Sequence, residues 1–158
     1  MRERRKNIGA SVHQRLLNKA RSTGRPFNEL MQHYANERFI YRLSQSEFAE
    51  RFILKGALLL SAWNMPMSRP TKDIDLLGKI NSDEKTIVAA IKAICRQGVV
   101  DDGLTFNAGS IHAERITENA EYQGVRIRLQ GNLSSAQVYL QIDVGFGDVI
   151  YPGPSTVV

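Results

Sequence analysis

The chain has a single cysteine, no long apolar run and no apolar segment behind its charged start. Cys95 has no second thiol with which to form an internal disulfide, which suits a reducing compartment. The longest apolar stretch, residues 57–63, is far shorter than the roughly 20 residues that a membrane-spanning helix needs. Four of the first six residues are basic, but the apolar part of a secretion signal does not follow them. We therefore expect a cytoplasmic protein.

The charge of the chain is unevenly distributed. Its 158 residues, 42% of them hydrophobic, are enough for one domain with a core of its own. The net charge is +5, but residues 1–25 hold eight Lys/Arg against one Glu, and the remainder is slightly acidic. Such a basic arm can neutralise nucleic-acid phosphates, and it is equally typical of a solvated helix with a frayed end. Both interpretations stay open.

Apolar periodicity predicts two helices at the start of the chain. An apolar face runs through residues 10–22, and Gly24 followed by Pro26 marks a stop and a restart. The second helix is predicted from about residue 27 to residue 43. We place its apolar stripe in the core; the stripe comprises Phe27, Leu30, Met31, Tyr34 and Tyr41.

A shorter helix and a strand are predicted next. Ser44 and Glu47 have the spacing of a capping box, which predicts a short third helix. Residues 52–55 then form a brief apolar strand that ends at Gly56, and a helical run resumes at residue 57. This segment is interpreted as strand, tight turn and helix.

The second half of the chain alternates like a sheet. Residues 73–77 have the period of a strand, and residues 82–97 form a clear amphipathic helix. Residues 104–116 are ambiguous, whereas residues 122–130 and 137–146 predict a β-hairpin. Helices followed by a mixed sheet with one long helix between strands predict an α+β fold.

Three aspartates fall on the polar faces of two predicted strands. Asp73 and Asp75 share one face, and Asp143 projects away from the apolar set Val138, Leu140, Ile142 and Val144. If the strands are neighbours, the carboxylates converge, and Mg²⁺ or Mn²⁺ would offset their repulsion. An Asp-x-Asp pair alone is weak evidence, because a solvated strand edge produces the same pattern. The turn at Gly56 adds a predicted helix N-terminus suited to a phosphate. The carboxylates and this helix N-terminus together indicate phosphoryl transfer.

Three segments in this order resemble the AbiEii/AbiGii family of nucleotidyltransferase toxins. They are Phe52-Ile-Leu-Lys-Gly-Ala-Leu-Leu-Leu, Arg69-Pro-Thr-Lys-Asp-Ile-Asp-Leu-Leu-Gly and Gln141-Ile-Asp-Val-Gly-Phe-Gly-Asp, preceded by a similar stretch from Arg38. The resemblance implies a polymerase-β-like nucleotidyltransferase sheet with N-terminal helices packed on it. It also implies transfer of a nucleotide from an NTP to an acceptor such as a tRNA 3′ end. Such a protein is the toxin of a toxin–antitoxin or phage-defence system, neutralised by a cognate antitoxin protein.

The resemblance also assigns residue roles. Asp73, Asp75 and Asp143 would be the catalytic carboxylates and metal ligands, with Asp148 as a secondary candidate. The expected contacts to the triphosphate are Lys55, Gly56, Ala57, Arg69 and Lys72. The chain departs from the family at the turn, where Ala57 and Leu58 follow Gly56 in place of a second small residue.

The family continues beyond the third carboxylate into a helical lobe with a lysine motif. We therefore expect residues 1–43 to form a helical segment and residues 44–158 a nucleotidyltransferase core without that lobe. Two alternatives to an active transferase stay open. One is a catalytically silent remnant that binds RNA or the antitoxin, and the other is a metal-dependent phosphohydrolase using the same carboxylates.

The basic arm generates a testable prediction. If it contacts RNA phosphates, the logarithm of affinity should fall with the logarithm of salt by about 0.7 to 0.9 per phosphate neutralised. Removal of Arg2, Arg4, Arg5 and Lys6 should flatten this slope. A filter-binding titration with tRNA on the full chain and on a chain starting at Ile8 measures it. Identical slopes would show that the arm makes no phosphate contact.

Overall fold

Helices and strands segregate into two layers in the computed structural model, which describes residues 7–55, 73–119 and 122–146. The described helices are α1 (Ile8–Thr23), α2 (Phe27–Gln45) and α3 (Glu84–Cys95). The described strands are β1 (Phe52–Lys55), β2 (Asp73–Gly78), β3 (Leu104–Asn119), β4 (Tyr122–Leu133) and β5 (Ala136–Gly145). This arrangement confirms the predicted α+β class. None of these helices is both long and apolar enough to span a bilayer.

The described strands form one sheet in the order β1-β2-β5-β4-β3. β2 and β5 are parallel, and the other neighbouring pairs are antiparallel. The predicted hairpin is confirmed, but β4 and β5 run further than expected and leave only Ser134 and Ser135 in the turn. Ser134 has a positive φ of 55°, because a two-residue hairpin turn needs this backbone conformation to match the strand twist.

The core lies between the sheet and helices α2 and α3. Alternate residues of the central strands are fully buried, among them Ile74, Leu76, Ile127, Leu140, Ile142 and Val144. They pack against Phe39 of α2 and Ile87, Ile91 and Ile94 of α3. Burial of one such side chain stabilises the fold by about 1.5–3 kcal/mol. Because strand side chains alternate, the same packing directs the intervening polar residues to the opposite face of the sheet.

The predicted third helix is wrong. α2 continues through Ser44, whose hydroxyl donates to the Tyr41 carbonyl oxygen at 2.6 Å instead of capping a new helix. Residues 46–51 form hydrogen-bonded turns, and β1 then begins at Phe52. The capping-box spacing was misleading because too few residues separate α2 from β1 for another helix.

The structure revises the predicted position of Tyr41 and assigns the ambiguous segment that begins at Leu104. Tyr41 is 39% exposed and not a core residue, because the buried stripe of α2 runs through Ala35, Phe39 and Leu43. The guanidinium carbon of Arg38 lies 4.3 Å from the centroid of the Tyr41 ring. The ambiguous segment from Leu104 belongs to β3, a long strand with an irregularity between Asn107 and His112.

A buried ion pair joins α2 to the start of β3. Arg42 donates to both carboxylate oxygens of Asp102, at 2.8 and 3.0 Å, and Arg38 donates to Oδ2 at 2.7 Å. The backbone N–H of Leu104 also donates to Asp102, at 3.0 Å. Burial alone raises the pKa of Asp102, but the hydrogen bonds from Arg42 and Arg38 outweigh it, so the pKa lies below its usual value.

Asp102→Asn should lower the free energy of unfolding by about 3 kcal/mol at pH 7, because it leaves Arg42 buried without its counter-charge. Since the pKa of Asp102 is lower in the folded chain, its contribution is complete above about pH 4 and is lost as pH falls through the folded pKa. Urea unfolding at several pH values measures both effects. The control is Asp101→Asn, because Asp101 is exposed and an asparagine can still accept from the Gly103 N–H. Equal losses in the two variants would contradict a special role for Asp102.

Candidate active site

A row of charged residues crosses the face of the sheet that lies opposite α2 and α3, which we call the open face. Strand register places Lys55 of β1 beside Asp75 of β2 and places Asp75 beside Asp143 of β5. Asp143 lies beside Arg126 of β4, and Arg126 lies beside Glu114 of β3. One row thus carries charges in the order plus, minus, minus, plus, minus across all the described strands.

The structure brings the three predicted carboxylates to the same part of the open face. Asp75 and Asp143 are direct partners on the parallel strands β2 and β5. Asp73 lies two residues before Asp75 and faces Gln141 of β5, whose Nε2 donates to Asp73 Oδ2 at 3.2 Å. All three aspartates are half-buried. The placement expected from alternation is therefore found, and their roles as ligands stay a prediction.

Asp143 has a partner that sequence reasoning missed. Arg126 Nε donates to Asp143 Oδ1 at 2.9 Å, and Arg126 Nη2 donates to Oδ2 at 3.1 Å. The hydrogen bond to Asp143 raises the pKa of the Arg126 guanidinium above its ordinary value. The signal was present in β4, where Arg126 and Arg128 alternate with Val125, Ile127 and Leu129. The alternation alone did not identify Asp143 as the partner of Arg126, because that pairing depends on the register of the hairpin.

A second arginine lies one row further along the same face. Arg128 Nη1 donates to Glu114 Oε1 at 3.0 Å, and Arg128 Nε donates to Gln141 Oε1 at 3.3 Å. Arg128 and Glu114 are more exposed than the Arg126–Asp143 pair. Ion pairs this exposed contribute about 0–1 kcal/mol, so we assign Arg128 no structural importance.

The chemistry of the carboxylates fits a divalent cation of the Mg²⁺ type, which prefers oxygen ligands. Their present arrangement is not that of a complete site. Within residues 7–55, 73–119 and 122–146, no three His, Cys, Asp or Glu side chains are arranged so that they could hold a metal ion. Asp143 makes its bidentate contact with Arg126 of β4, on the side of β5 opposite β2. The residues that could hold such a cation are Asp73, Asp75 and Asp143.

The remaining predicted site residues divide into two groups. Lys55 ends β1 and lies beside Asp75, so its ammonium group belongs to the charged row. Five residues lie outside the described part of the chain: Gly56, Ala57, Arg69, Lys72 and Asp148. Their expected contacts with a triphosphate stay predictions.

A surface groove of about 600 Å³ lies away from the carboxylates. It is lined by residues of α3 and its N-terminal approach, including Asp83, Lys85 and Lys92, and by Arg115 of β3. Its lining mixes both signs of charge and includes none of the three aspartates. The groove therefore adds nothing to the candidate site.

These observations define an α+β protein with three aspartates on one face of the paired parallel strands β2 and β5. Residues 38–158 match the model of a family described as nucleotidyl transferase AbiEii toxin, type IV TA system. The match covers most of the chain, and the chain belongs to this family. The match confirms the resemblance found in the sequence motifs.

Solved structures from Helicobacter pylori show more distant likenesses. One, provisionally named a nucleotidyltransferase, has 14% identity and a TM-score of 0.49, covering 82% of this chain and 50% of that chain. JHP933 has 14% identity and a TM-score of 0.44, covering 80% of this chain and 46% of that chain. The chain thus spans about half the length of these structures. A comparison with curated proteins found no match.

Cys95 should not take part in the chemistry. It is buried at the end of α3, and burial raises the pKa of its thiol to about 11. A thiol reagent such as DTNB should therefore react slowly with the native chain at pH 7.5 and at once in denaturing urea, because the thiolate is the reactive form. Absorbance at 412 nm follows both reactions. Equally fast labelling in native buffer would contradict this assignment.

Proposed function

We propose that this chain is the core of a divalent-cation-dependent nucleotidyltransferase that transfers a nucleotide from an NTP to an RNA acceptor such as a tRNA 3′ end. The observation that carries the proposal is the direct pairing of Asp75 with Asp143 on parallel strands, with Asp73 on the same face. Membership of a nucleotidyltransferase family makes transfer the favoured reaction among those that such carboxylates support. A hydrolase would use the same residues with water as the acceptor.

Four charged residues of the open face have a task in this proposal. Asp73 and Asp75 bind Mg²⁺ or Mn²⁺ through carboxylate oxygens, and Asp143 completes the set. When bound, the cation would lower the pKa of the attacking hydroxyl and offset the charge of the leaving pyrophosphate. Lys55 lies beside Asp75, where its ammonium group can meet a phosphate oxygen of the NTP. The resemblance adds Gly56, Ala57, Arg69 and Lys72 as further phosphate contacts.

The biological setting follows from the family. A toxin of a type IV toxin–antitoxin system implies a cognate antitoxin as partner. We propose in addition a role in the cytoplasm, with phage defence as its use. These attributes belong to whole proteins of this kind, and the chain spans about half the length of the solved structures that resemble it. They are therefore part of the proposal.

One observation favours a second candidate. Arg126 occupies both oxygens of Asp143, and a permanent ion pair there would leave only two carboxylates for a cation. The chain would then be a catalytically silent module that binds RNA or the antitoxin. Nucleotide transfer separates the two candidates, because only the enzyme catalyses it.

Asp73→Asn should weaken Mn²⁺ binding at least about tenfold and abolish nucleotide transfer, because it removes one charged ligand. It should change the free energy of unfolding by less than about 1 kcal/mol, since an asparagine oxygen can still accept from Gln141 Nε2. Calorimetric Mn²⁺ titration, incorporation of radiolabelled NTP into tRNA and a thermal melt in metal-free buffer measure the three quantities.

The matched control is Asp83→Asn, because Asp83 is an exposed aspartate before α3 and lies outside the charged row. It should leave Mn²⁺ binding and transfer unchanged. A variant Asp73→Asn that still transfers nucleotide at the wild-type rate would overturn the site. A large fall in its melting temperature without metal would instead give Asp73 a structural role.

A further inference from the structure

We propose that Arg126 competes with the divalent cation for Asp143 and holds this carboxylate until a cation on Asp73 and Asp75 takes it over. The inference rests on the proposed function, since it needs a cation at these aspartates. It makes Arg126 a positioning residue that sets how readily the third ligand becomes available.

The strand order places two competitors on opposite sides of Asp143. β5 lies between β2 and β4, so Asp75 flanks Asp143 on one side and Arg126 flanks it on the other. A cation held by β2 draws the Asp143 carboxylate toward β2, whereas the guanidinium draws it toward β4. Rotation of one short side chain therefore decides which positive charge it meets.

Arg126 holds Asp143 through a bidentate contact. Two parallel charge-assisted hydrogen bonds, at 2.9 and 3.1 Å, engage both oxygens of Asp143. A cation coordinated by the same carboxylate would approach the guanidinium closely, and the two positive charges would repel. Asp143 therefore gives up at least one of its two hydrogen bonds with Arg126 when it coordinates the cation.

Arg126 has a second carboxylate within its row. Glu114 of β3 is its direct partner on the side away from Asp143. Glu114 accepts from Arg128 at 3.0 Å in an exposed contact that costs little to rearrange. The Arg126 guanidinium, whose side chain is 30% exposed, can turn from Asp143 toward Glu114 without unpacking the core. The open face thus offers both groups an alternative partner.

A Mn²⁺ titration without nucleotide, followed by electron paramagnetic resonance of the free ion, tests the competition. The full chain is compared with Arg126→Gln, Arg126→Lys and the matched control Arg128→Gln. Arg128 is on the same strand and face and carries the same charge, but its partners are Gln141 and Glu114. Both glutamine variants lose one positive charge, so general electrostatics should affect them alike.

Arg126→Gln should bind Mn²⁺ at least about tenfold more tightly than Arg128→Gln, because only the former frees Asp143. Arg126→Lys should fall between Arg126→Gln and the wild type, because lysine keeps the charge without the two-pronged geometry. A gain in affinity cannot come from a merely structural role, since loss of structure would weaken binding. If Arg126→Gln fails to fold, the lysine variant decides, and an affinity equal to that of the wild type overturns the inference.

The outcomes separate this inference from the proposed function. If the wild type binds Mn²⁺, Asp73→Asn weakens binding at least about tenfold and the two glutamine variants bind equally, the Arg126 inference alone is overturned. If neither the wild type nor any Arg126 variant binds Mn²⁺, both proposals are overturned. Binding by Arg126→Gln where the wild type shows little would support both.

Discussion

The pairing of β2 with β5 is the constraint on which the rest of this structure depends. In the observed register Ile74 lies beside Ile142 and Leu76 beside Val144, and all four side chains are fully buried. The same register places Asp75 beside Asp143 on the other face. Because side chains alternate along a strand, a slip of one residue would bury the carboxylates and expose the aliphatic groups. Core packing therefore holds the acidic patch together.

Two arginine–aspartate pairs show how burial changes the meaning of the same contact. Arg42 and Asp102 are both almost fully buried, so removing Asp102 leaves the Arg42 guanidinium buried without its counter-charge. Arg126 and Asp143 make an equally close contact, but their side chains are 30% and 20% exposed and other charged groups flank them on both sides. The first pair fixes α2 to β3, and the second is suited to exchanging partners. The stabilising pair and the candidate site thus lie on opposite faces of the sheet.

Sequence periodicity was a good guide to faces and a poor guide to ends and partners. It predicted which residues of β2 and β5 are buried, because alternation depends only on the local backbone. It failed at Ser44, where a local capping signal competed with the continuation of α2 and with the start of β1 at Phe52. It also misplaced Tyr41, because the buried stripe of α2 is defined by what the helix packs against. The roles of Asp73, Asp75 and Asp143 as ligands stay predictions.

The sequence by itself determined the family, through the order of its motifs, and the side of the sheet on which the three aspartates lie. Only the tertiary structure decided that Asp143 meets Arg126 and that Asp102 is buried between Arg38 and Arg42. The physical reason is the separation along the chain between the residues that determine each feature. Side-chain direction is set by neighbouring backbone angles, whereas partners across strands or between a helix and a strand depend on strand order and register. Arg42 and Asp102 are 60 positions apart, and no local sequence pattern predicts a contact across that separation.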